Sequence, residues 1–219
     1  MPTLPRPKEP LTDGVVTLRP FTLADVPAVT TACQDPEISR WTASIPWPYE
    51  EDHARRWITT HDVLWNRGEG AELAITAADD GRVVGSLGLL PIDWDRRVVS
   101  TGYWVVASER RRSVATRALR LGTTWALGAL GLAAVELVTM VGNTASEGVA
   151  QKAGFSVIEE IPNYEHPSAP GRLYQVKRWR CREPLPDHAH WTLSVDAAAQ
   201  TSRRPTMGSW VEPDGRPRR

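Results

Sequence analysis

One stretch narrows the folds open to this chain more than any other. Arg97–Val106 reads as a strand. Ser108–Gly131 turns helical in composition, with Val114, Ala118, Leu121 and Trp125 three to four residues apart and Gly131 as a stop. Ala133–Val141 is then a strongly apolar strand. A strand, a helix and a strand in that order make a crossover that sets its two strands parallel, with the helix N-terminus facing the gap between them.

The flanking segments predict a mixed sheet around that pair. Val15–Leu18 is a β-branched run ending at Arg19-Pro20. Thr22-Leu23-Ala24-Asp25 is a capping sequence, with Ala24, Ala28 and Ala32 following at helical spacing. Asp35–Tyr49, with three prolines and two tryptophans, reads as a loop, and Glu50–Asn66 as a helix ended by Arg67-Gly68-Glu69-Gly70. Ala71–Ala78 and Arg82–Leu90 form a hairpin about Asp79-Asp80-Gly81, and Pro91–Arg96 turns into the next strand, so these strands should be antiparallel. Downstream come a short helix, Asn143–Ala153, closed by Gly154, and two closing strands, Phe155–Glu160 and Leu173–Trp179, around the turn Pro162–Gly171. The expected class is α/β (α+β). Residues 1–12 read as a flexible lead-in, 13–182 as the folded domain, and 183–219 as a flexible Pro/Arg-rich tail in which His190–Val195 alternates weakly as one added strand.

Charge and composition exclude some functions. Lys+Arg and Asp+Glu both number 26, so the basic balance typical of nucleic-acid binders is absent. Arg203-Arg204 and the arginines of 216–219 read as a solvated tail. The start of the sequence lacks the apolar run of a signal peptide, and no stretch approaches a membrane span, so a cytoplasmic protein is expected. Two cysteines, Cys33 and Cys181, allow one bridge by count, but a reduced pair suits that compartment better. The ten tryptophans read as core residues standing in for the scarce Phe, or, for Trp41 and Trp47, as the lining of a groove.

The junction from Tyr103 to Arg117 carries the chemistry. A helix start offers unpaired N–H groups and the positive end of the macrodipole, which suits phosphate. Arg110, Arg111 and Arg112 add charge there, Ser113 and Thr116 add hydroxyl donors, and Ala115 keeps the helix start small. A solvated arginine run is the competing reading. Three cations at the positive end of a dipole are mildly unfavourable, however, unless an anion joins them.

Arg110-x-x-Ser113-x-Ala115 resembles the pyrophosphate motif Arg/Gln-x-x-Gly-x-Gly/Ala of the GNAT superfamily of acyl-coenzyme A-dependent N-acyltransferases. Asn143-Thr144-Ala145-Ser146 with Ala150–Phe155 resembles that family's second signature, Asn-x-x-Ser…Gly-Phe. Gly102-Tyr103-Trp104-Val105 is similar to the strand end of its branch of Rim-type ribosomal-protein N-terminal acetyltransferases and related small-molecule enzymes. The resemblance covers roughly residues 13–180. It departs where Ser113 and Arg111 stand in place of glycine.

The resemblance implies a mostly antiparallel sheet of six to seven strands, helices on both faces, and splayed central parallel strands. It implies acetyl-coenzyme A (acetyl-CoA) as cosubstrate, held by Val105, Val106, Ala107, Arg110, Arg111, Arg112, Ser113, Val114, Ala115, Thr116 and Asn143. Ser146 would lie near the thiol and protonate it, and Asn143 would bond the pantetheine arm; a plain N-cap and a plain first-turn polar residue are the alternatives. The acceptor would be a small-molecule amine or a protein N-terminus, attacking directly, with Trp41, Trp47, Tyr49 and Tyr103 as candidate contacts. Homodimerisation is implied by analogy alone. The glutamate that many relatives carry on the strand before the motif is replaced by Val99-Ser100-Thr101. Glu72, His53, Glu136 and Ser100 remain as candidate bases, none singled out. A succinyl-CoA donor, or a coenzyme-binding module without catalysis, are the other readings.

Overall fold

The computed structural model describes residues 4–42, 45–167 and 169–183. The expected tail strand at His190–Val195 and the C-terminal arginine clusters lie outside them. Eight strands form one sheet, one or two more than expected. They are β1 (Leu11–Thr12), β2 (Val16–Pro20), β3 (Ala71–Ala77), β4 (Val83–Asp93), β5 (Val98–Val105), β6 (Ala134–Met140), β7 (Ser156–Glu165) and β8 (Leu173–Cys181), in spatial order β1-β2-β3-β4-β5-β6-β8-β7. Every neighbouring pair is antiparallel except β5 and β6, the pair joined by the crossover.

Five α-helices accompany the sheet: α1 (Val26–Ala32), α2 (Pro36–Trp41), α3 (Glu51–Asn66), α4 (Val114–Gly128) and α5 (Thr144–Lys152). Helix α4 packs on the face that presents Leu73, Leu87, Val99 and Val135, and α5 adds Ala150 to the same core. Fully buried leucines there, such as Leu73, Leu87 and Leu119, each stabilise the fold by roughly 1.5–3 kcal/mol of transfer free energy. Helices α1 and α3 cover the other face through a smaller cluster of Val26, Val29, Cys33, Tyr49, Ala54 and Ile58.

Local chemistry explains the boundaries. Asp25 accepts from the Thr22 N–H at 2.8 Å, as the capping sequence predicts. The stretch expected to be a loop contains α2, because Asp35 caps it by accepting from Glu37 N–H and Pro36 fits the first turn. Strand β4 runs past Pro91 by way of a register shift between Leu89 and Ile92, where the sequence suggested a turn. Strand β7 likewise continues through Pro162 to Glu165.

Two residues of the lead-in expected to be flexible are packed into the core. Leu4 and Leu11 are buried, the Trp65 indole donates to the Leu4 carbonyl at 3.1 Å, and the Arg6 guanidinium lies over the Trp65 ring at 4.9 Å while pairing with Asp62. The two leucines fill the core edge, which outweighs the proline-rich composition around them. Cys33 and Cys181 are free, buried thiols rather than a bridge.

Candidate active site

The parallel pair comes apart where the site forms. Strands β5 and β6 pair from Val98↔Ala134 to Thr101↔Leu137 and no further. Beyond that, β5 keeps its partner β4 up to Gly85↔Val105, and β6 keeps β8 up to Met140↔Val176. Each strand follows its outer neighbour, and a wedge opens between Gly102–Val105 and Val138–Met140. The Val106 N–H donates to the Val84 carbonyl at 3.0 Å. Antiparallel pairs alternate between bonded and non-bonded, so the backbone polar groups of Tyr103 and Val105 face away from β4, into the wedge. Val106, also expected on the coenzyme, spends its N–H in the sheet.

The loop after β5 shapes an anion site from backbone. A short 3-10 turn, Ala107–Glu109, precedes residues 110–113, and α4 starts only at Val114, later than the helical composition suggested. Arg111 (φ 61°) and Ser113 (φ 63°) are left-handed, the conformation in which glycine is unstrained. These are the two positions where relatives carry glycine, so the loop keeps the backbone path despite its side chains. Ser113 gives α4 no side-chain cap, and the first intrahelical bond is from Arg117 N–H to Ser113 O at 2.9 Å. The N–H groups of Val114, Ala115 and Thr116 therefore point out of the helix start unbonded, with the positive end of the dipole behind them.

The three arginines expected to add charge at the anion site divide their roles. Arg110 donates to Asp35 Oδ2 at 2.6 Å and to the Val105 carbonyl at 3.1 Å, tying the loop to the start of α2. Arg112 pairs with Glu109 at 3.4 Å and is largely exposed. Arg111 alone has no ion pair among the described residues.

Across the wedge, Asn143 Oδ1 accepts from the Ser146 N–H at 3.1 Å, so Asn143 is the N-cap of α5. Its carboxamide NH2 keeps two donors without a partner among the described residues. The Tyr103 hydroxyl reaches over from β5 to the Ser146 hydroxyl at 2.8 Å. Burial pushes the Tyr103 phenol up to about 12, against a downward pull from the Ser146 hydrogen bond, so the phenol stays protonated at neutral pH. Arg120 of α4 donates to the Lys152 carbonyl at the C-terminal end of α5, and Lys177 of β8 pairs with Glu147 at 2.9 Å; these contacts fix α5 against the wedge.

The candidate acceptor contacts do not form one group. Tyr49 is a core residue of the α1–α3 cluster, 6% exposed, its phenol pushed up chiefly by burial; this corrects its placement in the groove. Trp41 lies under the Arg40 guanidinium at 4.8 Å and donates to Glu37. Trp47 is 60% exposed. Tyr103 turns toward the α4–α5 side, and Trp104, which the sequence left as alternation, lies on the opposite face beside Ser86.

Two of the four candidate bases have other work and a third is a surface residue. His53 accepts from the Glu50 N–H as part of the α3 cap, Glu136 pairs with Arg180, and Ser100 is an exposed hydroxyl. Glu72 differs. Its carboxyl is nearly enclosed on the α1–α3 face, bonded to the Ser86 hydroxyl and 3.9 Å from His61 Nε2, and burial pushes it upward more than those two partners pull it down.

No group of three or more His, Cys, Asp or Glu able to hold a metal ion occurs among the described residues, and no helix there is long and apolar enough to cross a membrane. Residues 16–156 match the model of the acetyltransferase (GNAT) domain. No curated protein matches the sequence. Solved structures do share the fold. RimL, a ribosomal L7/L12 alpha-N-protein acetyltransferase in complex with coenzyme A, superposes with TM-score 0.72 at 16% identity, over 80% of this chain and 98% of its own. RimJ of Mycobacterium smegmatis, in complex with a CoA-disulfide, gives 0.69 at 23% identity over 79% and 85%. The microcin C7 self-immunity acetyltransferase MccE, in complex with acetyl-CoA and AMP, gives 0.70 at 16% over 79% and 94%.

Proposed function

The chain belongs to the acetyltransferase (GNAT) family, and from that premise we propose that it moves an acetyl group from acetyl-CoA to the primary amine of a protein N-terminus or a small molecule by direct attack. The observation that carries this reading is the uncapped start of α4 standing at the mouth of the β5–β6 wedge. The N–H groups of Val114, Ala115 and Thr116 would hold the pyrophosphate, with Arg111 as the free cation beside it. The inward-facing backbone groups of Tyr103, the Val105 N–H and the Asn143 carboxamide NH2 would hold the pantetheine arm, the Val105 carbonyl being bonded by Arg110. When bound, the coenzyme supplies an activated thioester.

The chain's own residues supply orientation and a proton. The Ser146 hydroxyl, bonded to the neutral Tyr103 phenol, is a proton source for the departing sulfur. A cysteine relay is disfavoured: Cys33 is buried and its thiol is pushed up to about 12 by desolvation, which leaves no thiolate at neutral pH. A Rim-type branch assignment, with a protein N-terminus as acceptor, draws support from RimL and RimJ among the structural neighbours.

Calorimetry with acetyl-, succinyl- and free CoA, followed by thiol release with tetrapeptides starting with Ser, Ala, Thr or Met and with spermidine, tests the reading. Binding of acetyl-CoA with transfer to at least one amine is expected. No binding of any of the three at saturation, or binding without transfer, would overturn it.

A further inference from the structure

The face of the sheet opposite Tyr103 carries a feature that acetyl-CoA binding does not use. Glu72, Gly88 and Gly102 stand in register across β3, β4 and β5. The two glycines differ in what lies over them. The Glu72 carboxyl and Leu90 fill the space over Gly88, where a Cβ would stand 2.7 Å from Glu72 Oε2 and 2.9 Å from Leu90 Cδ2, whereas a Cβ on Gly102 would meet nothing within 4 Å. The space over Gly102 is thus open, one strand away from the carboxyl, or about 4.8 Å, and Gly102 is where the β5–β6 wedge begins.

The other groups facing Glu72 fix how it holds a proton. His61 Nδ1 lies 2.6 Å from the Trp57 carbonyl, which accepts only, so Nδ1 carries the hydrogen. In the neutral ring Nε2 is then a bare lone pair, and it faces Glu72 Oε2 at 3.9 Å. With the carboxyl ionised, a carboxylate and a lone pair stand side by side, which favours the uptake of one proton. Ser86 bonds Oε1. Among the described residues no further charge acts there: the rest of the inward face of α3 is Ala54, Trp57, Ile58 and Trp65, α1 has no charged residue, β5 presents Ser100, Gly102 and Trp104, and Arg19 of β2 is bound by both nitrogens to Asp25.

We propose that Glu72, coupled to His61, is the base that deprotonates the acceptor amine, and that the amine reaches the wedge through the open space over Gly102. This rests on the transfer reading above. The step balances. The ammonium gives one proton to the Glu72–His61 pair, and the neutral nitrogen attacks the thioester carbonyl carbon. The C–S bond breaks as the C–N bond forms, the nitrogen's second proton passes to the sulfur by way of Ser146, and the amide keeps the third. Val99-Ser100-Thr101 stands where the resemblance led to the expectation of a glutamate, and Glu72 lies two strands away on the face that also presents Gly102.

The test uses the full chain with acetyl-CoA and whichever amine of the panel the parent acetylates. Glu72→Gln is expected to lower kcat about 100-fold or more, to abolish the acid limb of the pH–rate profile, and to leave the acetyl-CoA Kd within about twofold, since Glu72 lies on the face away from the α4 start. Glu72→Asp, which keeps a carboxylate, retains the limb at reduced kcat and serves if the glutamine variant misfolds. His61→Gln moves the limb to higher pH, because the downward pull of His61 on the Glu72 carboxyl is lost while its burial remains. A carbon-13 carboxyl signal, assigned to Glu72 by its loss in Glu72→Gln, should titrate above the ordinary glutamate range, a readout independent of turnover. Unchanged kcat and limb in Glu72→Gln, or an ordinary carboxyl titration, would overturn the assignment while leaving the transfer reading intact. A parent that binds acetyl-CoA and acetylates nothing would remove the transfer reading, and the base with it.

Discussion

The Tyr103 hydroxyl lies 2.8 Å from the Ser146 hydroxyl, and this contact joins β5 to α5, the helix that follows β6, across the wedge. If the two hydroxyls act as one proton source, removing either should remove most of the effect. Tyr103→Phe and Ser146→Ala are each expected to lower kcat by about 10- to 100-fold, and the double variant by little more than the worse single one. Because the phenol is held at about 12, its ionisation should add no alkaline limb below roughly pH 10. Steady-state kinetics of the four proteins across pH decides; additive losses would mean that the hydroxyls act separately.

Ser113 occupies a left-handed conformation that costs a non-glycine residue about 1 kcal/mol. Ser113→Gly releases that strain and loses part of the gain to the greater freedom of the unfolded chain. It should therefore be more stable by a few tenths of a kcal/mol, about 0.5 at most, and bind CoA at least as well. Ser113→Val, β-branched at positive φ, should lose more than about 1 kcal/mol. Urea unfolding and calorimetry of the pair measure both; a valine variant as stable as the parent would contradict the backbone account.

That loop marks where sequence reading succeeds and where it stops. The α4 crossover, the hairpin at Asp79–Gly81 and the β5–β6 parallel pair were legible because periodicity and short connections constrain them locally. The late start of α4 was not, since Ser108–Ser113 has helical composition and only the left-handed residues break it. Arg110 read as a phosphate ligand from its position in the motif, but its partner, Asp35, is remote in sequence, and no local signal announces a long-range ion pair. Tyr49 was expected at the groove because the resemblance puts residues 39–57 over it; the α1–α3 cluster that buries it is tertiary. Glu72 was visible as one acid among several, and its two glycine neighbours acquire meaning only through cross-strand register.

Acid should loosen the α1 end of the fold through Asp25. Burial alone would raise this carboxyl, but the hydrogen bonds from Arg19 and Thr22 outweigh it and hold the folded-state value below 3.8. The sign follows: its stabilisation is fully present above pH 3.8 and is lost as pH falls through the lower folded value. Arg19 makes two bonds of 2.8 Å to it and is about one-third exposed. Asp25→Asn should therefore cost about 2 kcal/mol at neutral pH and much less near pH 2. Chemical unfolding at the two pH values checks this, and an equal loss at both would mean that the charge is not the cause.

Helix α4 presents its anion-binding start at the wedge only if it lies close on the sheet, and Gly122 sets that distance. A Cβ there would stand 2.3 Å from Leu87 Cδ2, and Leu87 is fully buried in β4. Alanine is the better helix former by about 1 kcal/mol, so on propensity alone Gly122→Ala would stabilise. The contact is closer than any real Cβ tolerates, and Leu87 has a packed core around it rather than solvent to move into. Overpacking of this kind costs typically about 1–3 kcal/mol, so the net effect should be a loss of about 1 kcal/mol. If α4 relieves the contact by lifting away from β4, its first turn moves with it, and CoA affinity should fall together with stability. Trimming the partner, as Leu87→Ala in the Gly122→Ala background, makes room for the new methyl and should restore the affinity. Full affinity and a raised melting temperature in Gly122→Ala would show that the glycine is not what seats the helix.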